Sequence, residues 1–442
     1  MAENSLKKAQ EARRAFLQMA PVTEKMRNEA LLKMAKLLEE KKGRILVSNK
    51  KDVLRARRQG VSPAMLKRLE LSEHKFGEIV HGVESVAAQV GQAGKVLSSI
   101  MLDEGLVLEQ VSVPIGVVCA IFEARPDALC QISALAIKTG NCVILKGGSE
   151  ARETNRAIFL AVRGALKVSG LPPGSVQLAE SREAVNELLG MDSLIDLIIP
   201  RGGSAFVKYI MDNSKIPVLG HSEGVCHEYV DESADVEKAV KICVDAKTNY
   251  PAACNAMETL LVHEKIAEKF LPAFAKALGG KAELRADPQS LAILAKNNFR
   301  AKKAIAGDFG REFSDLVLSV KIVKSCDEAI SHINRFGSKH TDGIITQSAQ
   351  DAEKFLAGVD SAGVYWNAST RFADGYRYGK GAEVGISTGK LHCRGPGGAE
   401  ALLTYKYILR GDGHVVSDYT GDGAKKFLHR KLLPKTYGSP TQ

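Results

Sequence analysis

The chain has 442 residues, 45% of them hydrophobic and 25% charged, and a formal net charge of +10. That length exceeds one ordinary core and implies two or three domains of a soluble globular protein. No apolar run approaches bilayer-spanning length, and the opening MAENSLKKAQEARRAF lacks a secretory apolar core and carries Glu3 and Glu11, which argue against a transit peptide.

Basic residues are spread along the chain among 51 acids, so clusters such as Arg55 to Arg58 and Lys67-Arg68 read as solvated helix faces and no nucleic-acid groove is expected. A basic surface suits anionic phosphorylated ligands equally well. The eight cysteines contain no CxxC pair and sit mostly in apolar segments, as reduced thiols of a cytoplasmic protein do. His221, His227 and His392, taken with Cys226 and Cys393, match no zinc spacing, so no metal is expected.

From Ser5 to about Leu71 the pattern is helical: Pro21 breaks it, Thr23 is placed to cap a second helix, and Gly43 and Gly60 mark stops. Residues 106 to 113 alternate apolar and polar side chains like a half-exposed strand, which needs a partner in the same chain or another. After Pro114, strands and helices alternate. Strands are expected at Gly116 to Phe122, Cys142 to Lys146, Val176 to Leu178, Leu194 to Ile199 and Pro217 to Leu219. Helices intervene, one opened by Pro126 and closed by Gly140, so the pattern describes a parallel sheet covered on both faces. Such sheets bind ligands at the carboxyl ends of their strands. Two of those ends, Lys146-Gly147-Gly148-Ser149 and Arg201-Gly202-Gly203-Ser204, combine a cation, glycines and a hydroxyl in the manner of phosphate-binding turns. Neither is a GxGxxG or a P-loop, and ordinary glycine turns would read the same.

The next helix has an apolar face of Val236, Ala239, Val240, Cys243 and Val244, with Ser233 placed to cap it and Pro251 to end it. Thr259 to Val262 reads as a buried strand, which leaves Cys254 on a loop among small residues, where reactive groups are often displayed. A free cysteine is more commonly an inert buried thiol. A second α/β unit follows, with helices at about Lys265 to Leu278 and Asp327 to Phe336 and strands near Leu316 to Val323 and Gly343 to Thr346. Val364 to Phe372 then runs into a glycine-rich binding loop, and the chain after Tyr419 reads as loosely held.

The strings VPIGVVCAIFEARPDAL, KGGSEA, YPAACNAMETLLVH, HTDGIIT, WNASTRFADGYRYGKGAEVGIST and RGPGGAEALL together resemble the gamma-glutamyl phosphate reductase family and the reductase half of eukaryotic pyrroline-5-carboxylate synthase. More distantly the chain resembles the aldehyde dehydrogenase superfamily. The resemblance implies an α/β, aldehyde-dehydrogenase-like fold. A Rossmann-type NADP-binding domain would span 1–105 and 122–228, an α/β catalytic domain 229–365, and a small β oligomerisation arm 106–121 and 384–415, leaving 416–442 as a tail. It places Cys254 at the nucleophile, and Lys146 and Ser149 at the adenosine ribose; the neutral Ser149 implies NADPH/NADP over NADH. Gly202, Gly203 and Ser204 fall near the pyrophosphate and Glu312 at the nicotinamide ribose. Val218 stands where acid-releasing relatives carry a water-activating glutamate, and Ala124 where they carry an oxyanion-site asparagine.

The activity implied is reduction of L-glutamyl 5-phosphate to glutamate 5-semialdehyde in proline biosynthesis, through a thioester on Cys254. Arg125, Arg371, Asn367 and Ser369 are the substrate-binding candidates; loop-holding roles fit the same four residues. The alternatives are another acyl phosphate or an aldehyde as substrate and, outside enzymes, a nucleic-acid-binding or structural protein. With no kinase segment in the sequence, glutamate 5-kinase on a separate chain is the expected partner, and the β-rich segments point to a homodimer or higher homo-oligomer.

Overall fold

The computed structural model describes residues 5–181, 183–221 and 223–433. Residues 1–4 and 434–442, which belong to the expected cofactor domain and tail, lie outside the described residues. Five helices open the chain: α1 (Ser5–Met19), α2 (Glu24–Glu40), α3 (Lys42–Arg58), α4 (Pro63–Leu69) and α5 (Glu73–Ala88). Thr23 caps α2 by accepting from the Met26 amide at 3.3 Å, and Gly60 follows α3 at a left-handed φ of 70°. Gly43 is no stop: it sits in the first turn of α3, where the amides have no intrahelical partner and a glycine disturbs little. Ala30, Leu31, Met34 and Leu38 of α2 pack into the core beneath the first parallel sheet.

An antiparallel pair follows, β1 (Val96–Asp103) and β2 (Leu106–Pro114), and then β3 (Val117–Phe122), α6 (Pro126–Thr139), β4 (Cys142–Gly147), α7 (Arg152–Val168), β5 (Val176–Ala179), α8 (Ala184–Leu189), β6 (Leu197–Arg201) and α9 (Ser204–Asn213). Parallel pairing orders this sheet β5-β4-β3-β6. The strand expected at Pro217 to Leu219 contributes only one bridge, Val218 to Ile198; Pro217 has no amide hydrogen with which to extend the ladder.

The second parallel sheet is built from β7 (Cys226–Val230), α10 (Val236–Thr248), β8 (Met257–His263), α11 (Glu264–Leu278), β9 (Glu283–Ala286), α12 (Pro288–Lys296), β10 (Lys302–Lys303), β11 (Val317–Val323), α13 (Cys326–Phe336), β12 (Thr341–Ile345), α14 (Ala349–Gly358) and β13 (Gly363–Trp366). Its order is β10-β9-β11-β8-β7-β12-β13. α10 is capped by Asp235, which accepts from the Lys238 amide at 3.0 Å, and not by Ser233. The Ser233 hydroxyl is occupied by Asp231 and Thr346.

A short hairpin, β14 (Gly385–Ser387) with β15 (Gly395–Gly397), precedes β16 (Leu403–Arg410) and β17 (Arg430–Leu432). The last two complete an antiparallel sheet, β16-β2-β1-β17, so the half-exposed strand finds its partners within its own chain. The expected arm segment 106–121 therefore divides: β2 joins this sheet, whereas β3, buried at all six positions, joins the parallel one. Of the segment after Tyr419, the described part is held, because β17 pairs with Ser99 to Met101. No helix among the described residues is long and apolar enough to cross a membrane.

Candidate active site

The Cys254 loop joins α10 to β8 and is fixed from three sides. A Cβ on Gly224 would lie 2.1 Å from the Cys254 carbonyl oxygen, so only glycine lets the two backbones approach this closely. Beneath the loop, the Cys226 thiol donates to that same carbonyl at 3.2 Å. The Asn255 side-chain amide donates to the Ala373 carbonyl at 2.8 Å, tying the loop to the glycine-rich segment.

Two histidines from distant strand ends meet the thiol. His221 follows the Val218 bridge and His340 immediately precedes β12; their ligand-type nitrogens and the Cys254 sulfur all lie within 4.8 Å of one another. The rings cross edge to face with centroids 5.0 Å apart. Burial pushes a thiol up, and all seven other cysteines are raised by it, Cys119 and Cys142 to about 12 and Cys326 to about 11. Cys254 feels the same desolvation, but the charges of His340 and His221 outweigh it and hold the thiol well below its ordinary value. Reciprocally, burial works to lower His221, yet the Cys254 charge prevails and raises it to about 9. Both shifts favour a thiolate–imidazolium pair, the charge state that thiol nucleophiles use. His340 did not stand out in the sequence, and His221 was weighed only as a zinc ligand and set aside, because a lone His at a strand end in VLGH or KHTDG resembles any loop histidine.

Of the other expected site residues, Arg125 and Arg371 come to this centre: each interacts electrostatically with Cys254. Arg371 is 7% exposed and its guanidinium lies 5.9 Å from the Tyr250 ring centroid. Asn367 does not reach out. It sits at φ 56°, and its amide accepts from the Thr346 nitrogen at 3.0 Å and donates to the Thr346 carbonyl at 2.9 Å. The buried Ser369 caps the turn carrying Arg371 by accepting from its amide at 3.3 Å. Both are loop-holding residues here. Ala124 sits at φ 45°, a left-handed conformation that strains any residue with a Cβ, at the end of β3.

Beside the loop opens a cavity of about 330 Å³ lined by Lys67, Arg68, Arg125, Glu78, Asp127 and Tyr250 among others. Lys67 and Arg68, read from sequence as a solvated face, thus border a concave site with both signs of charge.

The strand ends of the first sheet carry the other expected site residues. Lys146 is buried and donates to the Gly147 carbonyl at 2.7 Å, and exposed Ser149 starts the turn into α7, sharing a cleft with Arg152 and Glu180. At the other strand end, the Gly203 amide at the head of α9 holds a Glu123 carboxylate oxygen at 3.1 Å. That carboxylate stands in for an anionic oxygen, so the helix end has the donor geometry a phosphate needs. Half-buried Glu312 interacts electrostatically with both His221 and Glu258. Its loop is anchored by a buried pair: Lys247 of α10 meets Glu258 of β8 at 2.6 Å, and the other Glu258 oxygen accepts from the Ser314 amide at 3.0 Å.

A cysteine held by two histidines, in a chain with two parallel sheets and glycine turns at strand ends, fits a class of oxidoreductase. The aldehyde dehydrogenase family model matches residues 2–289, from the chain start into α12, and places the chain in that class. The chain is 51% identical over 435 residues to the gamma-glutamyl phosphate reductase of Pelotomaculum thermopropionicum, covering 98% of this chain and 99% of the relative. It is 49% identical to that of Methanosarcina acetivorans, covering 98% of each. The crystal structure of gamma-glutamyl phosphate reductase from Thermotoga maritima superposes with a TM-score of 0.89 at 39% identity, covering 93% of this chain and all of that one. The chain belongs to the gamma-glutamyl phosphate reductase family.

Proposed function

We propose that the chain reduces L-glutamyl 5-phosphate to L-glutamate 5-semialdehyde and phosphate, with NADPH as reductant and Cys254 as nucleophile. The observation that carries this reading is a thiolate, held by two imidazoles, beside a cavity of mixed charge in a chain half identical to named relatives. The Cys254 thiolate attacks the acyl carbonyl; the carbon–oxygen bond to phosphate breaks, and phosphate departs as an anion needing little acid help. A thioester remains on Cys254. NADPH, when bound, supplies the hydride that reduces it. The resulting oxyanion collapses, the carbon–sulfur bond breaks, and thiolate returns to the imidazolium that stabilises it.

The substrate carries an α-carboxylate and an α-ammonium as well as a phosphate. Arg125 with Lys67 and Arg68 answers the carboxylate, and Asp127 with Glu78 the ammonium. Arg371, whose guanidinium lies 5.9 Å from the Tyr250 ring centroid, is the cation for the phosphate end. For the reductant, Lys146, Ser149 and Arg152 supply cations and a hydroxyl, with no acid at Ser149, which favours a 2′-phosphate. The Gly203 amide receives pyrophosphate and Glu312 the nicotinamide ribose. Aliphatic Val218 brings no base to activate water, which protects the thioester. The edge strand β16 exposes Tyr405, Tyr407 and Leu409, and we assign it to a homo-oligomer contact that sedimentation tests. Glutamate 5-kinase as a partner supplying the labile acyl phosphate is tested by co-purification.

The deciding experiment runs the reaction backwards with pyrroline-5-carboxylate, phosphate and NADP⁺. Wild type should form NADPH only when phosphate is present, and Cys254→Ala should form none. Full activity in the variant would remove Cys254 from the mechanism; an inactive wild type would leave only the fold.

A further inference from the structure

The donors around Cys254 form a set that thioester chemistry alone does not require. We propose that Cys254 Sγ, His221 and His340 constitute a binding site for zinc, whose occupancy shuts off the nucleophile. The three donor atoms lie within 4.8 Å of one another. Tetrahedral zinc with one thiolate and two imidazoles sets donors ~3.4–3.6 Å apart, given bond lengths of about 2.3 Å to sulfur and about 2.0–2.1 Å to nitrogen. Side-chain movements on the order of 1 Å at most close the site.

The surrounding contacts orient the rings for this. His221 Nδ1 lies 2.9 Å from the Ile386 carbonyl, which only accepts, so Nδ1 keeps its hydrogen and Nε2, releasing its proton as zinc binds, supplies the lone pair. That carbonyl is the kind of outer partner that fixes a metal-binding imidazole. His340 is 1% exposed, and its Nδ1 is engaged by the Thr341 hydroxyl at 3.0 Å and, more loosely, by the Cys226 sulfur at 3.8 Å. Its buried Nε2 forms no hydrogen bond of full geometry, and the Cys254 sulfur is the group of the cluster with which the ring interacts. A cation bound there satisfies that nitrogen. The edge-to-face crossing of the rings, 75° between planes, presents two nitrogens from different directions, as a tetrahedral ion needs. Three protein donors leave a fourth position for water. Zinc occupies the sulfur lone pair that attacks the acyl carbonyl, so the metal-bound chain is inactive. Soft and borderline cations are favoured over magnesium or calcium, because the set offers no oxygen ligand.

The test is metal binding itself, independent of the substrate. The full chain, freed of metal, is titrated with Zn²⁺ against a chromophoric chelator, and with Co²⁺ as a spectroscopic substitute. Expected are one ion per chain, a thiolate-to-cobalt charge-transfer band, loss of reductase activity in step with zinc occupancy, and recovery on chelation. His221→Asn and His340→Asn should each weaken zinc binding by at least about 100-fold, the upper range for losing even an outer-sphere partner. Prior alkylation of Cys254 by iodoacetamide should abolish the band with no mutation, which keeps the test valid if the buried His340 variant misfolds. A cobalt spectrum without the thiolate band, a band that survives alkylation, or unchanged affinity in folded His221→Asn overturns the proposal.

Discussion

The loop carrying Cys254 and the strand carrying Cys226 lie so close that the second thiol donates to the carbonyl of the first, and both approach His340. Their chemistry is opposite. Cys226 is fully buried on β7, where burial, the Asp342 carboxylate and the charge of Cys254 all raise it. Cys254 meets two imidazoles, and they reverse the effect of its desolvation. Desolvation raises both thiols, although Cys254 is only half-buried, and the sign of the nearest charges sets them apart.

The harshest way to break the contrast is Gly224→Ala. Its Cβ would lie 2.1 Å from the Cys254 carbonyl oxygen and 2.6 Å from its Cα, so the loop must shift. A displacement on the order of 1 Å at a reacting atom lowers turnover about 100-fold, read as kcat of the reverse reaction with the circular dichroism spectrum unchanged. Turnover equal to wild type would mean that the loop yields freely at this contact.

Removing the imidazoles sharpens the contrast instead. In His221→Asn or His340→Asn, alkylation of Cys254 by iodoacetamide at neutral pH should slow about tenfold, since each unit of rise in thiol pKa reduces thiolate about tenfold. Peptide mass spectrometry should find Cys226 unlabelled in every variant, and labelling of Cys226 before Cys254 would invert the comparison.

The smallest effect concerns the hairpin that positions His221. Arg394 donates to the Asp360 side chain and to its carbonyl, both at 3.0 Å, and Lys390 pairs with the same carboxylate at 2.8 Å. This pins the segment around β14, whose Ile386 carbonyl holds His221. The Lys390 and Arg394 hydrogen bonds, against slight desolvation, lower Asp360 from its usual 3.8 to about 2. A depressed carboxylate stabilises the fold above its unfolded pKa and loses that contribution as pH falls through about 2. Asp360→Asn should therefore melt slightly below wild type at neutral pH, with the difference vanishing near pH 2. A gap that persists in acid would assign the effect to packing.

Much of this was legible in the sequence. Strands such as β3 and β4 are continuous apolar runs, and Pro126 and Gly140 mark the ends of α6 because proline fits a first turn and glycine a left-handed cap. Cys254 was visible from its loop. β7 was not, since Cys-His-Glu-Tyr-Val carries polar residues that reading by apolar periodicity rejects. Tertiary partners meet one polar atom of each: His227 Nδ1 lies 2.8 Å from Asp342, and Glu228 accepts from the Thr370 amide at 3.0 Å. The same limit hid what His221 and His340 do, since they reach Cys254 only through the tertiary fold. Ser233 was chosen as a cap by residue type, whereas Asp231 and Thr346 had already claimed its hydroxyl. Asn367 and Ser369 carried polar groups fit for a ligand, and the backbone used them first.

The Lys247–Glu258 pair bears on how the site meets dissolved salt. Both members are almost wholly shielded from solvent, at 0% and 1% side-chain exposure, so counterions do not reach them. Through Ser314 they fix the Glu312 loop against the strand that leaves the nucleophile. The cations at the mouth of the cavity, Lys67 foremost, stand in water and are screened. Rising ionic strength thus acts on the two unequally, weakening the pull of exposed Lys67 on an anion while the spacing between Cys254 and the Glu312 loop holds.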